Sequence, residues 1–381
     1  MIDLAIELHA LAAVLLGEDR LAEAQSCCEH SLRIFVEIEG EESPDVANVA
    51  NLLASIRERQ GDCAGAAAHA LRALSIVDRL GARFTGPDAD QIRLEALGLA
   101  GNAYRQAARY AEAEPLLRSA LDHSERAVGS SHPAVCGALN NLAVLYKYTG
   151  QFDEAGQLYR RALAILEQAF GVDSLETATV HHNLGGLEHA RGRYGQGETH
   201  ARRAYEIRRR FLGADHPQTA ADAAAWAGVL DGLGRFDESE PLYRQALAVF
   251  ERTYGPRHYE IAINLNNLAF VEQSKGNANE AEILFRRALA LKEDLLGDAH
   301  PDVAVTANNL ALLLASLGRR QEAQSLSRRA VAICRQTLPA GHPKLVVCEA
   351  TEHAVFHVAA SPAPRSRPPS KNRSLTRARR P

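Results

Sequence analysis

Histidine is the residue type in this chain with the widest chemical use, because its ring nitrogens bind metal ions and transfer protons near neutral pH. Five of the fifteen histidines recur at spacings of 84, 42, 42 and 42 residues: His132, His216, His258, His300 and His342. Such distant residues are not expected to converge on one ion. His181, His182 and His189 share one predicted helix, and His353 and His357 are four residues apart. Neither group has a third ligand at a recognisable spacing or an HExxH motif, so we predict no metal site and no cofactor.

Carboxylates are the other candidates for acid–base chemistry, and they also recur periodically. One glutamate occupies the same place in several units: Glu112, Glu154, Glu238, Glu280 and Glu322. A group that recurs in this way indicates a structural role, since an active site requires one place that differs from the rest. The chain has no GxSxG motif, no Walker loop and no GxGxxG after a predicted strand. We therefore expect no catalytic residues and no enzymatic activity.

The elements that carry these residues follow a 42-residue period. Glycine recurs at this step: Gly150, Gly192, Gly234, Gly276 and Gly318. One step back from Gly150 lies Ala108, and Asp19 and Gly61 are also 42 residues apart. The step from Gly61 to Ala108 is 47, which indicates a five-residue insertion near residues 81–86. Eight units in one register predict a repeat architecture in place of a single globular core.

Each unit reads as two helices. In the fourth unit His132-Pro133 is expected to open the first helix, where the missing N–H of proline is no loss. Ser43, Asp90 and Ser174 take the capping position in other units. Apolar residues at helical spacing follow: Leu139, Leu142, Ala143 and Tyr146. After a stop at Gly150, a second apolar face ends at Gly171: Phe152, Ala155, Tyr159, Ala162 and Leu166.

This pattern resembles the tetratricopeptide repeat, a helix–turn–helix unit whose short form has 34 residues. The 42-residue form is similar to the repeats of kinesin light chain. The matching segments are Asn266-Asn267-Leu268-Ala269, Glu280-Ala281, Arg286-Arg287-Ala288-Leu289 and Leu296-Gly297-Asp298-Ala299-His300-Pro301. The resemblance covers about residues 1–358. It implies an all-α, right-handed α-solenoid of about eight repeats with a C-terminal capping helix. The long heptad segment by which kinesin light chains bind the heavy chain is missing, so no motor role is implied.

The expected domain organisation follows from the register. Residues 1–338 form the solenoid, with repeats at about 1–42, 43–84, 85–131, 132–173, 174–215, 216–257, 258–299 and 300–338. Residues 339–358 resemble one further first helix, which would cover the apolar end of the stack. Residues 359–381 are rich in proline and arginine and have almost no apolar content, which predicts a disordered basic tail.

The resemblance implies that the first helices line a concave groove, which three positions of each helix face. By register the candidate groove residues are Asn51, Asn140, His182, Asn266 and Asn308 in the first position, Asn102 and Phe270 in the second, and Arg105, Lys147, His189 and Gln273 in the third. Asparagine is a poor helix former, so its recurrence on one face needs a reason. Its amide both donates and accepts hydrogen bonds, as the backbone of an extended peptide requires. We expect the next residues along, Asn141, Asn183, Asn267 and Asn309, to be mainly structural.

Positive charge is the second groove feature. Arg59, Arg105 and Lys147 lie in repeats two to four and predict a peptide with acidic residues. A solvated helix face is the alternative interpretation. Gly185, Gly186 and Gly228 lower the helix propensity of the fifth and sixth units and predict a smoother groove there.

Charge and cysteine content limit the possible partners and compartment. The net charge is −4, yet residues 360–381 hold seven basic residues and no acidic one, which leaves about −11 for the remainder. An acidic body argues against nucleic-acid binding by the repeats. The chain shows no secretory signal, no membrane-spanning apolar run and no CxxC pair. We expect reduced thiols and a cytoplasmic location.

Together these observations predict a non-catalytic interaction scaffold or adaptor that holds an extended peptide or a partner protein in its groove, with no small-molecule substrate. Two alternatives stay open. One is a structural or regulatory subunit that acts by self-association. The other is binding of nucleic acid or an anionic surface through the basic tail.

Overall fold

A computed structural model describes residues 1–338 and 340–357 of the chain. In this part the regular structure is helical throughout, and no β-strand occurs. The helices are α1 (Ile2–Gly17), α2 (Leu21–Glu39), α3 (Pro44–Arg59), α4 (Cys63–Leu80), α5 (Pro87–Gln106), α6 (Tyr110–Val128), α7 (Val135–Tyr148), α8 (Phe152–Phe170), α9 (Leu175–Ala190), α10 (Tyr194–Leu212), α11 (Pro217–Gly232), α12 (Phe236–Tyr254), α13 (Tyr259–Ser274), α14 (Ala278–Leu296), α15 (Pro301–Ser316), α16 (Arg320–Thr337) and α17 (Pro343–His357). A single 3-10 turn, Gly81–Arg83, follows α4. The predicted basic tail, 359–381, lies outside the described residues.

The described residues form two compact units, one of residues Met1–Asn277 and one that begins at Ala278. In the first unit consecutive helices pack in pairs, from α1 with α2 to α11 with α12, and α13 follows. The first helices of adjacent pairs also contact one another, as α3 does with α5 and α9 with α11. In the second unit α15 packs on α16, and α17 contacts both. Stacked helical hairpins confirm the predicted all-α repeat fold.

Helix starts follow the capping prediction in part. The side chains of Ser43 and Ser174 accept hydrogen bonds from the backbone N–H of Val46 and Thr177, so both serines are N-caps as predicted. The prediction for Asp90 is wrong, because α5 starts earlier, at Pro87, and places Asp90 inside its first turn. The fourth unit also departs from prediction, since α7 begins at Val135 and His132-Pro133 lie in the turn before it.

The periodic glycines end helices by adopting left-handed backbone angles. Gly150 has a φ of 79°, and Gly234, two repeats later, has 72°. At the same position Asp19 and Ala108 have φ angles of 61° and 58°, although their side chains make this conformation unfavourable. The repeat geometry therefore imposes this turn even where no glycine is present.

Small residues allow close helix packing in the core of the first unit. Ala155, Tyr159 and Ala162 on α8 are fully buried. Helices α9 and α10 pack closely at Gly185, where an added Cβ would lie 3.1 Å from the Cβ of Ala201. No described helix is long and apolar enough to cross a membrane. All six cysteines are free, and four of them are buried.

Candidate functional site

The predicted groove positions define three rows of side chains on the first helices of the first unit. Row one contains His9, Asn51, Gly98, Asn140, His182, Ala224 and Asn266. Row two contains Ala13, Ser55, Asn102, Val144, Gly186, Gly228 and Phe270. Row three contains Leu16, Glu58, Arg105, Lys147, His189, Asp231 and Gln273. Asn308 occupies the row-one position of α15 in the second unit.

Several row-one asparagines also connect protein groups. Asn51 is only 2% exposed, and its Nδ2 donates to the backbone carbonyl of Ile92 at 2.9 Å. The Oδ1 of Asn140 accepts from the Nδ2 of Asn183, one repeat later, at 2.5 Å. In the second unit Asn308 is 2% exposed, and its Oδ1 is buried without a hydrogen-bond partner in the described part of the chain. Direct ligand contact by these amides stays a prediction.

Row one changes character at His182. The Nδ1 of His182 lies 2.7 Å from Oδ1 of Asp222, a fully buried carboxylate on α11. Arg208 on α10, itself buried, donates to the same oxygen at 2.7 Å and to the hydroxyl of Thr179 at 2.8 Å. Opposite charges thus meet inside the stack, and the half-exposed imidazole is held in one orientation.

Row two is open in the fifth and sixth repeats. A Cβ added at Gly186 would find the Nζ of Lys147 as its nearest neighbour, at 3.7 Å, and one at Gly228 would find the hydroxyl of Tyr243 at 3.4 Å. In the next repeat Phe270 is 46% exposed. Its ring lies edge-on to the ring of Phe236, with the two ring centroids 6.2 Å apart. Asn102 lies half-buried at the other end of the row.

Row three contains two neighbouring cations, Arg105 and Lys147, which we call the cation pair. In the described part of the chain neither has a carboxylate within ion-pair distance. The Nε of Arg105 is buried without a hydrogen-bond partner there. Both charges lie near the ring of Tyr148, at 5.4 and 5.8 Å from its centroid. Burial lowers the pKa of Lys147, and the charge of Arg105 lowers it further.

Neighbouring residues show why the cation pair is distinct. The guanidinium of Arg59 lies 2.7 Å from the carboxylate of Asp19, so the predicted positive charge at Arg59 is already balanced. Glu58 precedes the pair in row three and accepts a hydrogen bond from Gln106 at 2.7 Å. Burial raises the pKa of Glu58, while the charge of Arg105 acts in the opposite direction.

Beyond the cation pair, row three becomes neutral and then acidic. Burial lowers the pKa of His189, against a hydrogen bond to the backbone of Gly228 that raises it. Asp231 accepts a hydrogen bond from the hydroxyl of Tyr243 at 2.8 Å, while its Oδ1 is buried without a partner among the described residues. Burial raises the pKa of Asp231. Gln273, next in the row, is half-buried.

Sequence reasoning missed the residues that support this surface from behind. Asp222 occupies the position that Ala138 and Val180 fill in the two preceding repeats, so a charge at an otherwise apolar position was the available signal. Among the described residues no group of three or more His, Cys, Asp or Glu side chains could hold a metal ion.

Comparisons with known proteins address the fold directly. The family model for the tetratricopeptide repeat matches residues 3–79, 93–168, 176–252, 221–294 and 260–336. No curated protein matches the chain in sequence.

Several solved structures are similar to this chain. The chain is similar to the putative kinesin light chain repeats of Podosopora anserina, with 25% identity over 54% of this chain and 98% of that one, at a TM-score of 0.45. It is similar to the apo quorum sensor NprR from B. thuringiensis, with 13% identity over 86% and 87% of the two chains and a TM-score of 0.64. The Rap conjugation gene regulator of plasmid pLS20, solved with the Phr* peptide, is 14% identical over 88% and 95%, with a TM-score of 0.61. Only the last two of these similarities exceed a TM-score of 0.5, and they show the fold alone.

Proposed function

Because the chain belongs to the tetratricopeptide repeat family, we propose that it is a non-catalytic interaction scaffold that binds an extended, acidic peptide segment of a partner protein along the three rows. Repeat proteins of stacked helical hairpins form extended concave surfaces that bind partners. Such binding requires no catalytic residues. The Rap regulator of the same fold was solved with a peptide, which supports this type of ligand.

The cation pair is the observation that carries the proposal. Two adjacent positive charges, one of them substantially buried, repel each other and gain little from water. A carboxylate supplied by a ligand would lie between them without displacing an internal partner, because the described residues supply none at ion-pair distance. Charge-assisted hydrogen bonds of this kind are roughly twice as strong as neutral ones.

The surrounding rows suit an extended chain. The open surface at Gly186 and Gly228 leaves room beside Lys147, and half-exposed Asn266 and exposed Phe270 continue the same face. Amides and an exposed ring offer hydrogen bonds and apolar contact to a peptide whose acidic residue is fixed at the pair. We include Asn51 and Asn140 in the proposed site as residues that shape it from within, whereas ligand contact by Asn308, in the second unit, stays a separate prediction.

Affinity capture from a lysate of the native cells tests the proposal. The intact protein is compared with Arg105→Ala/Lys147→Ala. The matched control is Arg118→Ala/Arg252→Ala, which removes the same charge from α6 and α12, where the two side chains are 58% and 59% exposed. A partner should be captured by the wild type and the control and lost from the row-three variant. Equal capture by all three proteins would contradict binding at the cation pair.

A further inference from the structure

A pair of histidines joins the two helices of the fifth repeat away from the three rows. His181 on α9 and His200 on α10 bring their Nδ1 atoms to 3.0 Å, with ring centroids 5.2 Å apart. Both rings line a solvent-open cavity of about 350 Å³, together with Glu167, Val172 and Glu206. Neither histidine takes part in the proposed peptide site.

The separation of the two nitrogens matches a shared ligand. Imidazole nitrogens bind a zinc-type ion at roughly 2.0–2.1 Å. Two such nitrogens on one ion lie between roughly 2.8 Å apart, at an N–metal–N angle of about 90°, and roughly 3.4 Å apart, at the tetrahedral angle of about 109°. The observed 3.0 Å falls in this range. Without a bridging group one Nδ1 must donate a hydrogen to the other, because two lone pairs at this distance repel each other.

The charge state of the rings is compatible with a cation. Burial is the main cause that lowers the pKa of His181, to about 4, and that of His200, so both imidazoles are neutral near pH 7. Two arginines line the same cavity, and each has an acidic partner: Arg203, whose charge lowers the pKa of His181, pairs with Asp173, and Arg202 lies 3.5 Å from Glu206. The negative charge of Glu188 acts on His200 and raises its pKa, against the effect of burial.

We propose that His181 and His200 form a two-histidine site for a borderline divalent cation of the Zn²⁺, Ni²⁺ or Cu²⁺ class, linking α9 to α10. Imidazole nitrogen suits these ions, whereas Mg²⁺ and Ca²⁺ require oxygen ligands. The described residues place no third His, Cys, Asp or Glu in a metal-holding group with them. The cavity is open to solvent, so water would supply the remaining ligands of a bound ion. The sequence alone predicted no metal site.

Calorimetric titration of the full-length protein with Zn²⁺ alone, after treatment with a chelator, measures the binding. The wild type should bind an ion that His181→Gln and His200→Gln each lose, with at least a tenfold drop in affinity at that site. His30→Gln, which removes a lone exposed imidazole from α2, should behave as the wild type does. Binding that is absent from the wild type, or equal in all four proteins, would overturn the proposal.

A second measurement needs no variant. Cu²⁺ bound to the wild-type protein at one equivalent should give an electron paramagnetic resonance spectrum with hyperfine splitting from two equatorial imidazole nitrogens. A spectrum with a single imidazole nitrogen, or that of the hydrated ion, would contradict a shared site.

Discussion

The Oδ1 of Asp222 lies 2.7 Å from the Nδ1 of His182, and the carboxylate has no exposed surface. Arg208 supplies the balancing charge from α10. The orientation of one row-one residue therefore depends on an ion pair buried behind it, between the fifth and sixth repeats.

Removing Asp222 should be far more damaging than removing an exposed aspartate. Asp222→Ala leaves the buried guanidinium of Arg208 without its carboxylate, which we expect to lower the free energy of unfolding by about 3–5 kcal/mol. Asp215→Ala removes a carboxylate that is 83% exposed beside Arg252, and it should change the free energy of unfolding by less than about 1 kcal/mol. Urea denaturation of both variants measures this, and similar losses would show that Asp222 is not a buried partner.

Two adjacent glycines of α9 should respond oppositely to alanine. At Gly185 the added Cβ would lie 3.1 Å from both the Cβ and the backbone nitrogen of Ala201, so we expect a loss of about 1–3 kcal/mol in stability. At Gly186 only the flexible Nζ of Lys147 lies within 4 Å, so the higher helix propensity of alanine should stabilise the protein by about 0.5–1 kcal/mol. Thermal unfolding of the two variants checks the order, and a more stable Gly185→Ala would refute the packing argument.

At the left-handed turn between the two helices of a repeat, glycine should be more stabilising than alanine. Ala108 has a φ of 58°, so Ala108→Gly should relieve strain and stabilise the protein by about 1 kcal/mol. Gly150 has a φ of 79° at the same repeat position, and Gly150→Ala should destabilise it by about 1–2 kcal/mol. Chemical denaturation of both variants is the measurement. Equal signs for the two changes would mean that the repeat does not impose the turn.

Asp231 should make stability depend on pH in a defined direction. Burial raises its pKa above the ordinary value of 3.8, so the folded protein binds this proton more tightly than the unfolded chain does. Its contribution to stability is therefore greatest at low pH and is lost as the pH rises through the folded pKa. Asp231→Asn lacks this dependence. As the pH rises from 3.8 to about 7, the free energy of unfolding of the wild type should fall relative to that of the variant, and a relative rise would contradict a raised pKa.

The repeat architecture was predictable because its signals are local and recur every 42 residues, from Gly150 to Gly318. Predictions failed where a unit departs from the period. The insertion near residues 81–86 forms a 3-10 turn, so α5 starts at Pro87 and Asp90 loses its capping role.

The repeat register predicted which positions belong to the candidate site, but it did not predict the ion pairs and hydrogen bonds that their side chains make. The sequence predicted that Arg59 and Lys147 both add positive charge to the groove, yet of these two only Arg59 meets a carboxylate, from Asp19 forty residues earlier. His200 was not connected to His181 because their contact crosses from one helix to the next. Such pairings depend on packing geometry that a single sequence does not encode in its spacing.

The most direct test of the central claim is fluorescence anisotropy with peptides of equal length that differ in charge: acidic, neutral and basic. The net negative charge of the repeats would by itself favour basic peptides, whereas the cation pair favours acidic ones. We predict that an acidic peptide binds and that Arg105→Glu/Lys147→Glu weakens its binding at least tenfold. The neutral and basic peptides should bind the wild type more weakly. Preferential binding of the basic peptide, or an acidic peptide that binds both proteins equally, would contradict the proposed site.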